Sequence, residues 1–233
     1  MSYKHKIEEN LSKIEESINR AVQRSGRSRG DISLMAVTKT HPLEAVEAAY
    51  EAGLRLFGEN RVTEALEKYS NIPEDLRLEM IGHLQRNKAK QAVEIFSAVQ
   101  SIDKKETLGA LNKYCLIKNK SIDILIEVNT SGELSKNGCA IDEVFPLIED
   151  VLKFKSLNLC GFMTLGPLTS EEGEIRKAFK SLYSIYKKAG DRFPELNLKT
   201  LSMGMSGDFP IAIEEGSNLI RVGTLLFGSR NQL

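Results

Sequence analysis

Apolar residues recur at three- and four-residue steps through the opening stretch, with Ile7, Leu11, Ile14, Ile18 and Val22 on one stripe that ends at Gly26. The spacing predicts an amphipathic helix over residues 4–25, packed across the outside of whatever follows. From Ile32 onward the pattern becomes short apolar, β-branched runs alternating with amphipathic stretches, the signature of parallel strands joined by crossover helices. Eight strand candidates result: Ser33–Thr38, Leu54–Phe57, Leu78–Ile81, Ala98–Ile102, Ile122–Asn129, Leu159–Met163, Thr200–Met203 and Leu219–Val222. Between them lie helix candidates at Leu43–Ala52, Val62–Tyr69, Gln85–Phe96, Lys104–Lys118, Ile141–Leu152, Glu172–Ala189 and Phe209–Glu215, with Gly53, Gly190 and Gly216 as C-caps. Eight strands, seven crossovers and a last helical turn predict an α/β protein, a single (β/α)8 barrel of the TIM type with an extra N-terminal helix. The open doubly wound sheet is the alternative, yet no Gly-x-Gly-x-x-Gly follows the first strand. No linker or repeat breaks the pattern, so residues 1–233 are expected to form one domain.

Composition narrows the function classes. A chain of 233 residues is long for one ordinary domain and normal for one barrel. Its 32 basic and 32 acidic residues cancel, which leaves no electrostatic footprint for nucleic acid or an anionic membrane. Any phosphate must therefore be held locally. Cys115, Cys139 and Cys160 are an odd number at wide spacing, with no CxxC pattern, and read as reduced thiols rather than a disulfide framework or metal site. The polar N-terminus lacks the apolar core of a signal peptide and no run approaches a membrane span, so a cytoplasmic location is expected.

Active sites of such barrels lie at the carboxyl ends of the strands. There the sequence places Lys39, then Glu59 and Asn60, His83, Asn129, Met163 and Thr164, Ser206, and finally Arg221, Gly223 and Thr224. A lysine at a strand end is most often a solvated charge. If Val37 points into the barrel, however, Lys39 shares that direction under the period-two rule and its amine projects into the mouth. Desolvation there lowers an amine pKa from about 10.4 and makes a Schiff-base nucleophile. The stretches Leu201–Pro210 and Ile220–Gly228 fall after the last two strands, where barrels hold phosphate. Ser206 and Thr224 offer hydroxyl donors, while Gly204, Gly207 and Gly223 admit a close backbone approach. His83, Gln85 and Asn87 read as capping the helix that follows, Glu127 as a strand residue facing a polar neighbour, and Asn137-Gly138 as a turn. Arg86, Lys88 and Lys90 read as a solvated helix face.

The segments Ala36-Val-Thr-Lys-Thr, Phe57-Gly-Glu-Asn-Arg, Ile81-Gly-His-Leu-Gln-x-Asn-Lys, Gly161-Phe-Met-Thr, Leu201-Ser-Met-Gly-Met-Ser-x-Asp and Ile220-Arg-Val-Gly-Thr-x-x-Phe-Gly together resemble the pyridoxal phosphate homeostasis proteins, relatives of the alanine racemase N-terminal barrel. The match runs in order from about Ile32 to the C-terminus. One departure is Arg77-Leu-Glu-Met, where that family usually shows a Trp-His pair. The resemblance implies a pyridoxal 5′-phosphate aldimine on Lys39. It also implies phosphate contacts from Ser206, Gly223 and Thr224, Arg221 facing the pyridine nitrogen, and Asn60 and Met163 lining the ring. Gly207 joins these from its place in the phosphate loop.

A guanidinium beside the pyridine nitrogen disfavours protonating it and makes the cofactor a weak electron sink. The related racemases take a second acid/base, a tyrosine, from a separate C-terminal domain, and the sequence ends at Leu233 with no such segment. The expectation is a monomeric carrier of the cofactor with little or no turnover, in transient contact with apoenzymes that require it. Two alternatives stand beside it: a racemase-like enzyme acting on amino acids, for which Tyr50 or Tyr69 would have to reach the mouth, and a sugar-phosphate barrel that binds no pyridoxal.

Overall fold

The computed structural model describes residues 3–69, 73–133 and 135–228. Eight parallel strands close into a barrel in sequence order: β1 (Ser33–Val37), β2 (Leu56–Glu59), β3 (Arg77–Met80), β4 (Ala98–Ile102), β5 (Ile122–Glu127), β6 (Leu157–Met163), β7 (Thr200–Ser202) and β8 (Leu219–Val222). The closing pair sets Ser33 beside Leu219 and Ala36 beside Val222. Around the barrel run α1 (Tyr3–Ser25), α2 (Leu43–Glu51), α3 (Val62–Lys68), α4 (Ala89–Ile95), α5 (Lys105–Ile117), α6 (Val144–Val151), α7 (Glu172–Arg192), α8 (Phe209–Glu214) and α9 (Thr224–Phe227).

The period-two alternation of the strands divides the core into two parts. Leu34, Ala36, Phe57, Leu78, Ile124 and Ile126 face outward and pack against the helices, which supply Val46, Val93, Leu111, Ile148, Phe179 and Ile213. Met35, Val37 and Leu219 face inward, as do Leu125, Cys160 and Met163. In β6 the alternation is reset by an irregular register opposite Ile124 and Leu125. Gly161 adopts φ +152° there, and a Cβ on it would lie 1.8 Å from the Thr200 carbonyl oxygen. Only glycine allows that approach, and the extra residue turns Phe162 outward and Met163 into the barrel.

The amphipathic stripe buries Ile7, Ile14, Ile18, Ala21 and Val22, so α1 lies along the outside as its period predicts. It rests on α8 and α9: Asn10 Nδ2 donates to the Leu226 carbonyl at 3.0 Å, and Arg24 pairs with Glu214 at 2.5 Å. Just beyond the helix, Arg27 donates to the carbonyls of Ile213 at 3.0 Å and Ser217 at 2.6 Å. Two sequence expectations are corrected. Gly190 does not cap α7, which runs on to Arg192, because burial of Ala189 and Phe193 on either side holds the extra turn against glycine's cost of about 1 kcal/mol. The helix expected from Gln85 opens as a 3-10 turn at Arg86–Lys88, and α4 proper starts at Ala89.

Candidate functional site

At the carboxyl ends of the strands a cavity of about 350 Å³ opens, a size within the range of small-molecule sites. Lys39, Asn60, Ser206, Gly207, Arg221, Gly223 and Thr224 line it, together with Val37, Ile81, Gly82, His83, Glu127, Asn137, Leu165 and Met205. A larger groove of about 630 Å³ lies outside, between the loop after β5 and α7, and its only amine, Lys177, sits on a helix rather than at a strand end. The barrel mouth is the better candidate, because it brings strand-end chemistry from most of the sheet together.

Lys39 follows β1 and is half-buried, on the same inward parity as Met35 and Val37. Its two neighbours are anchored. Thr38 is fully buried in the wall, where its hydroxyl bonds to Glu59 Oε1 and Tyr69 Oη, each at 2.7 Å. Lys68 Nζ, with only 7% of its side chain exposed, donates to the Thr38 carbonyl, to Glu59 Oε1 and to Glu64 Oε1, at 2.7, 2.7 and 2.9 Å. On the other side Thr40 has φ +64°, a region a β-branched residue occupies only when its surroundings hold it there, and Glu64 accepts its N–H. The His41 ring lies 4.8 Å from that of Phe227, so this loop also touches α9. Burial pushes the Glu59 carboxyl up, against the pull of Lys68 and Thr38.

The loop after β8 lies beside Lys39, since β8 pairs with β1, and the loop after β7 comes next around the rim. Asp208 Oδ1 accepts the Met205 N–H at 2.6 Å and fixes the loop after β7; Ser206 Oγ accepts the Leu225 N–H at 3.3 Å and ties it to the loop after β8. A Cβ on Gly82 would meet the Asn60 carbonyl oxygen at 2.3 Å, so glycine is what lets the neighbouring β2 and β3 loops pack against each other at the rim.

Arg221 is 3% exposed, on the inward face of β8. It donates to Ser202 Oγ at 2.6 Å and to the Thr164 carbonyl at 2.8 Å. Burial lowers its pKa to about 10, against the nearby charges of Asp208 and Glu127, so it remains a cation at neutral pH. Glu127, at the end of β5, is pushed up to about 7 by burial and by Asp103, with Arg221 pulling the other way.

Met163 is the one proposed cofactor residue outside the cavity lining: it lies a layer below, against Leu125 and Cys160, with Leu165 packed over it. His83 is no helix cap, because it lines the cavity with Nδ1 3.8 Å from Asp103 Oδ2. Neither candidate tyrosine reaches the mouth. Tyr69 is held in the wall by Thr38, and Tyr50 donates to Asp75 beside Arg55, at the other end of the barrel. Gln100 and Glu79 escaped the sequence reading, although polar side chains inside the strand runs Ala98–Ile102 and Leu78–Ile81 signal an interior that is not wholly apolar.

The model of the alanine racemase N-terminal domain family matches residues 10–231. A pyridoxal phosphate homeostasis protein from Pasteurella multocida is 36% identical over 97% of this chain and 98% of its own length. Another from Vibrio alginolyticus is 39% identical over the same shares. Among solved structures, PipY of Synechococcus elongatus PCC7942 with pyridoxal phosphate bound is 33% identical, with a TM-score of 0.83 over 95% of this chain and all of the other.

Proposed function

The chain belongs to the alanine racemase N-terminal domain family, among the pyridoxal phosphate homeostasis proteins, and from that premise we propose that its barrel mouth binds pyridoxal 5′-phosphate, keeps it in reserve and releases it unchanged. The observation that carries this reading is one cavity holding a half-buried strand-end amine, a buried guanidinium, and two hydroxyl- and glycine-bearing loops. That donor set fits the coenzyme: an amine for its aldehyde, a cation beside its ring, and hydroxyl and backbone donors for its phosphate. When bound, the group supplies an aldehyde that condenses with amines and a conjugated ring that accepts electron density.

Each residue then has a task. Lys39 attaches the coenzyme covalently, and the Thr38–Glu59–Lys68 cluster holds the backbone from which it projects. Ser206, Gly207, Gly223 and Thr224 hold the phosphate. Arg221 would hold the ring nitrogen of the bound coenzyme and, as a cation, would disfavour its protonation, so that the ring would be a weaker electron sink. Asn60 would line the ring, and Met163 would act on it only through Leu165, which packs against Met163 and lines the cavity. Low turnover follows from Arg221 and from the seating of Tyr50 and Tyr69 away from the mouth. Partners on this reading are apoenzymes that receive the coenzyme. Among the described residues no helix is long and apolar enough to cross a membrane.

A second reading, a racemase-like enzyme acting on amino acids, is favoured by one observation: Glu127, titrating near pH 7, lines the same cavity as His83. Transfer separates the two. Protein loaded with the coenzyme and mixed with an acceptor apoenzyme is expected to restore the acceptor's activity while racemising or transaminating no amino acid itself. Steady-state turnover of an amino acid by the loaded protein, lost in Lys39→Ala, would overturn the carrier reading.

A further inference from the structure

Behind the mouth, a file of polar side chains crosses the barrel interior from β8 to β3. Arg221 Nη1 donates to Ser202 Oγ at 2.6 Å, Ser202 Oγ to Gln100 Oε1 at 2.7 Å, and Gln100 Nε2 to Glu79 Oε2 at 2.6 Å. At the far end Arg77 Nε donates to Glu79 Oε1 at 2.7 Å and Nη2 reaches Asp123 at 3.1 Å. Gln100 and Ser202 are fully buried and Glu79 is 3% exposed, so the middle of this file is shielded from solvent.

We propose that Glu79, Gln100 and Ser202 are positioning residues that set the orientation and charge of Arg221 at the coenzyme's ring nitrogen. This inference rests on the reading of the mouth given above.

The chemistry of the donors gives the file one direction. A guanidinium can only donate, so Ser202 Oγ must accept from it and send its single proton onward to Gln100. The amide must then turn its oxygen to Ser202 and its nitrogen to Glu79, and a flipped amide would set two donors against each other. Every proton in the file therefore points from Arg221 toward Glu79, where the chain ends on a carboxylate also held by Arg77. In a buried setting such a chain polarises along its length. It supports the Arg221 cation although both of the guanidinium's bonds here go to neutral oxygens, Ser202 Oγ and the Thr164 carbonyl. Those two bonds commit two of the five donors and fix the guanidinium plane, leaving the others for the mouth. A ring nitrogen accepts such a donor only while unprotonated, so the file selects the unprotonated ring.

The test compares the wild-type protein with Ser202→Ala, Ser202→Thr, Gln100→Leu and Glu79→Gln, and with Leu182→Ala in the helix layer as a packing control. Each is titrated with pyridoxal 5′-phosphate to give Kd. The loaded forms are followed by visible absorbance against pH, trapped with borohydride, and melted. Ser202→Ala and Gln100→Leu are expected to weaken binding on the order of 10-fold, as loss of a side chain that orients a ligand-binding group does elsewhere, and to raise the absorbance midpoint as the guanidinium retreats. Glu79→Gln is expected to move the midpoint from two hydrogen bonds further away, while Ser202→Thr stays near wild type. Leu182→Ala should lower the melting temperature alone. If the polar variants behave like Leu182→Ala, melting earlier with Kd and midpoint unchanged, the file is only scaffold and the proposal fails. Should Gln100→Leu not fold, Ser202→Ala and Glu79→Gln decide it. A wild-type protein that yields no trapped adduct overturns the reading of the mouth itself, an outcome distinct from failure of the file.

Discussion

At the residue scale, a buried ion pair anchors the backbone from which Lys39 projects. Lys68 and Glu59 have 7% and 0% of their side chains exposed, and Lys68 also holds the Thr38 carbonyl. Removing one partner of such a pair leaves the other charge uncompensated, which costs about 3–5 kcal/mol. Lys68→Met should therefore lose stability on that scale in urea denaturation of the unloaded protein and loosen the Lys39 loop, seen as weaker coenzyme binding. A loss below about 1 kcal/mol would show the pair to be incidental. Glu127 gives a pH dependence. Its folded pKa, raised from 4.5 to about 7, means that the folded state keeps a proton which the unfolded state has released. Stability then falls as pH rises from about 4.5 to about 7 and levels off above. Glu127→Gln should flatten that slope in the unloaded protein, with a gain on the order of 2–3 kcal/mol at pH 8. Equal slopes for the two proteins across this window would contradict the raised pKa. Lys39 was legible because a simple parity argument from Val37 sets its direction. Gln100 and Glu79 were not, since Gln100 gains its role from Ser202 on β7, 102 residues away in the chain, and Glu79 only through Gln100, which no local pattern encodes.

At the scale of elements, α1 braces the side of the mouth built by the loops after β7 and β8. It packs on α8 and α9, the helices that directly follow the two C-terminal loops, and Arg27 ties the same region through the Ile213 and Ser217 carbonyls. Ile18→Ala opens a cavity under the buried face of α1 and should cost about 2–5 kcal/mol in chemical denaturation. Its effect on coenzyme affinity should exceed that of an equal cavity made at Ile148 in α6, on the other side of the barrel; equal effects would remove the brace. Gly161→Ala should be worse still, because a Cβ there falls 1.8 Å from the Thr200 carbonyl oxygen. A loss above about 4 kcal/mol, or failure to fold, is expected. Element existence and order followed from hydrophobic period, and β4 and β8 keep the expected bounds. The misplaced end of α7 and the 3-10 start before α4 reflect tertiary burial overriding local propensity. Nor did the sequence reveal the β6 irregularity, although the orientation of Met163 depends on it.

For the whole molecule, closure of the sheet converts eight separate strand ends into one rim, so that residues from Lys39 to Thr224 share a single cavity. The fold and the family were legible because the strand-end motifs recur in order along the chain. The layer beneath the rim was not, because inward strand positions alternate with outward ones and carry no motif of their own. The central claim is that this rim holds pyridoxal 5′-phosphate through one particular amine. Borohydride reduction of the loaded protein followed by peptide mass spectrometry tests it most directly. The expected result is one reduced adduct, on Lys39, absent from Lys39→Ala and accompanied by loss of the yellow colour in that variant. A protein that stays colourless in excess coenzyme, or an adduct carried mainly by another lysine, would contradict the account.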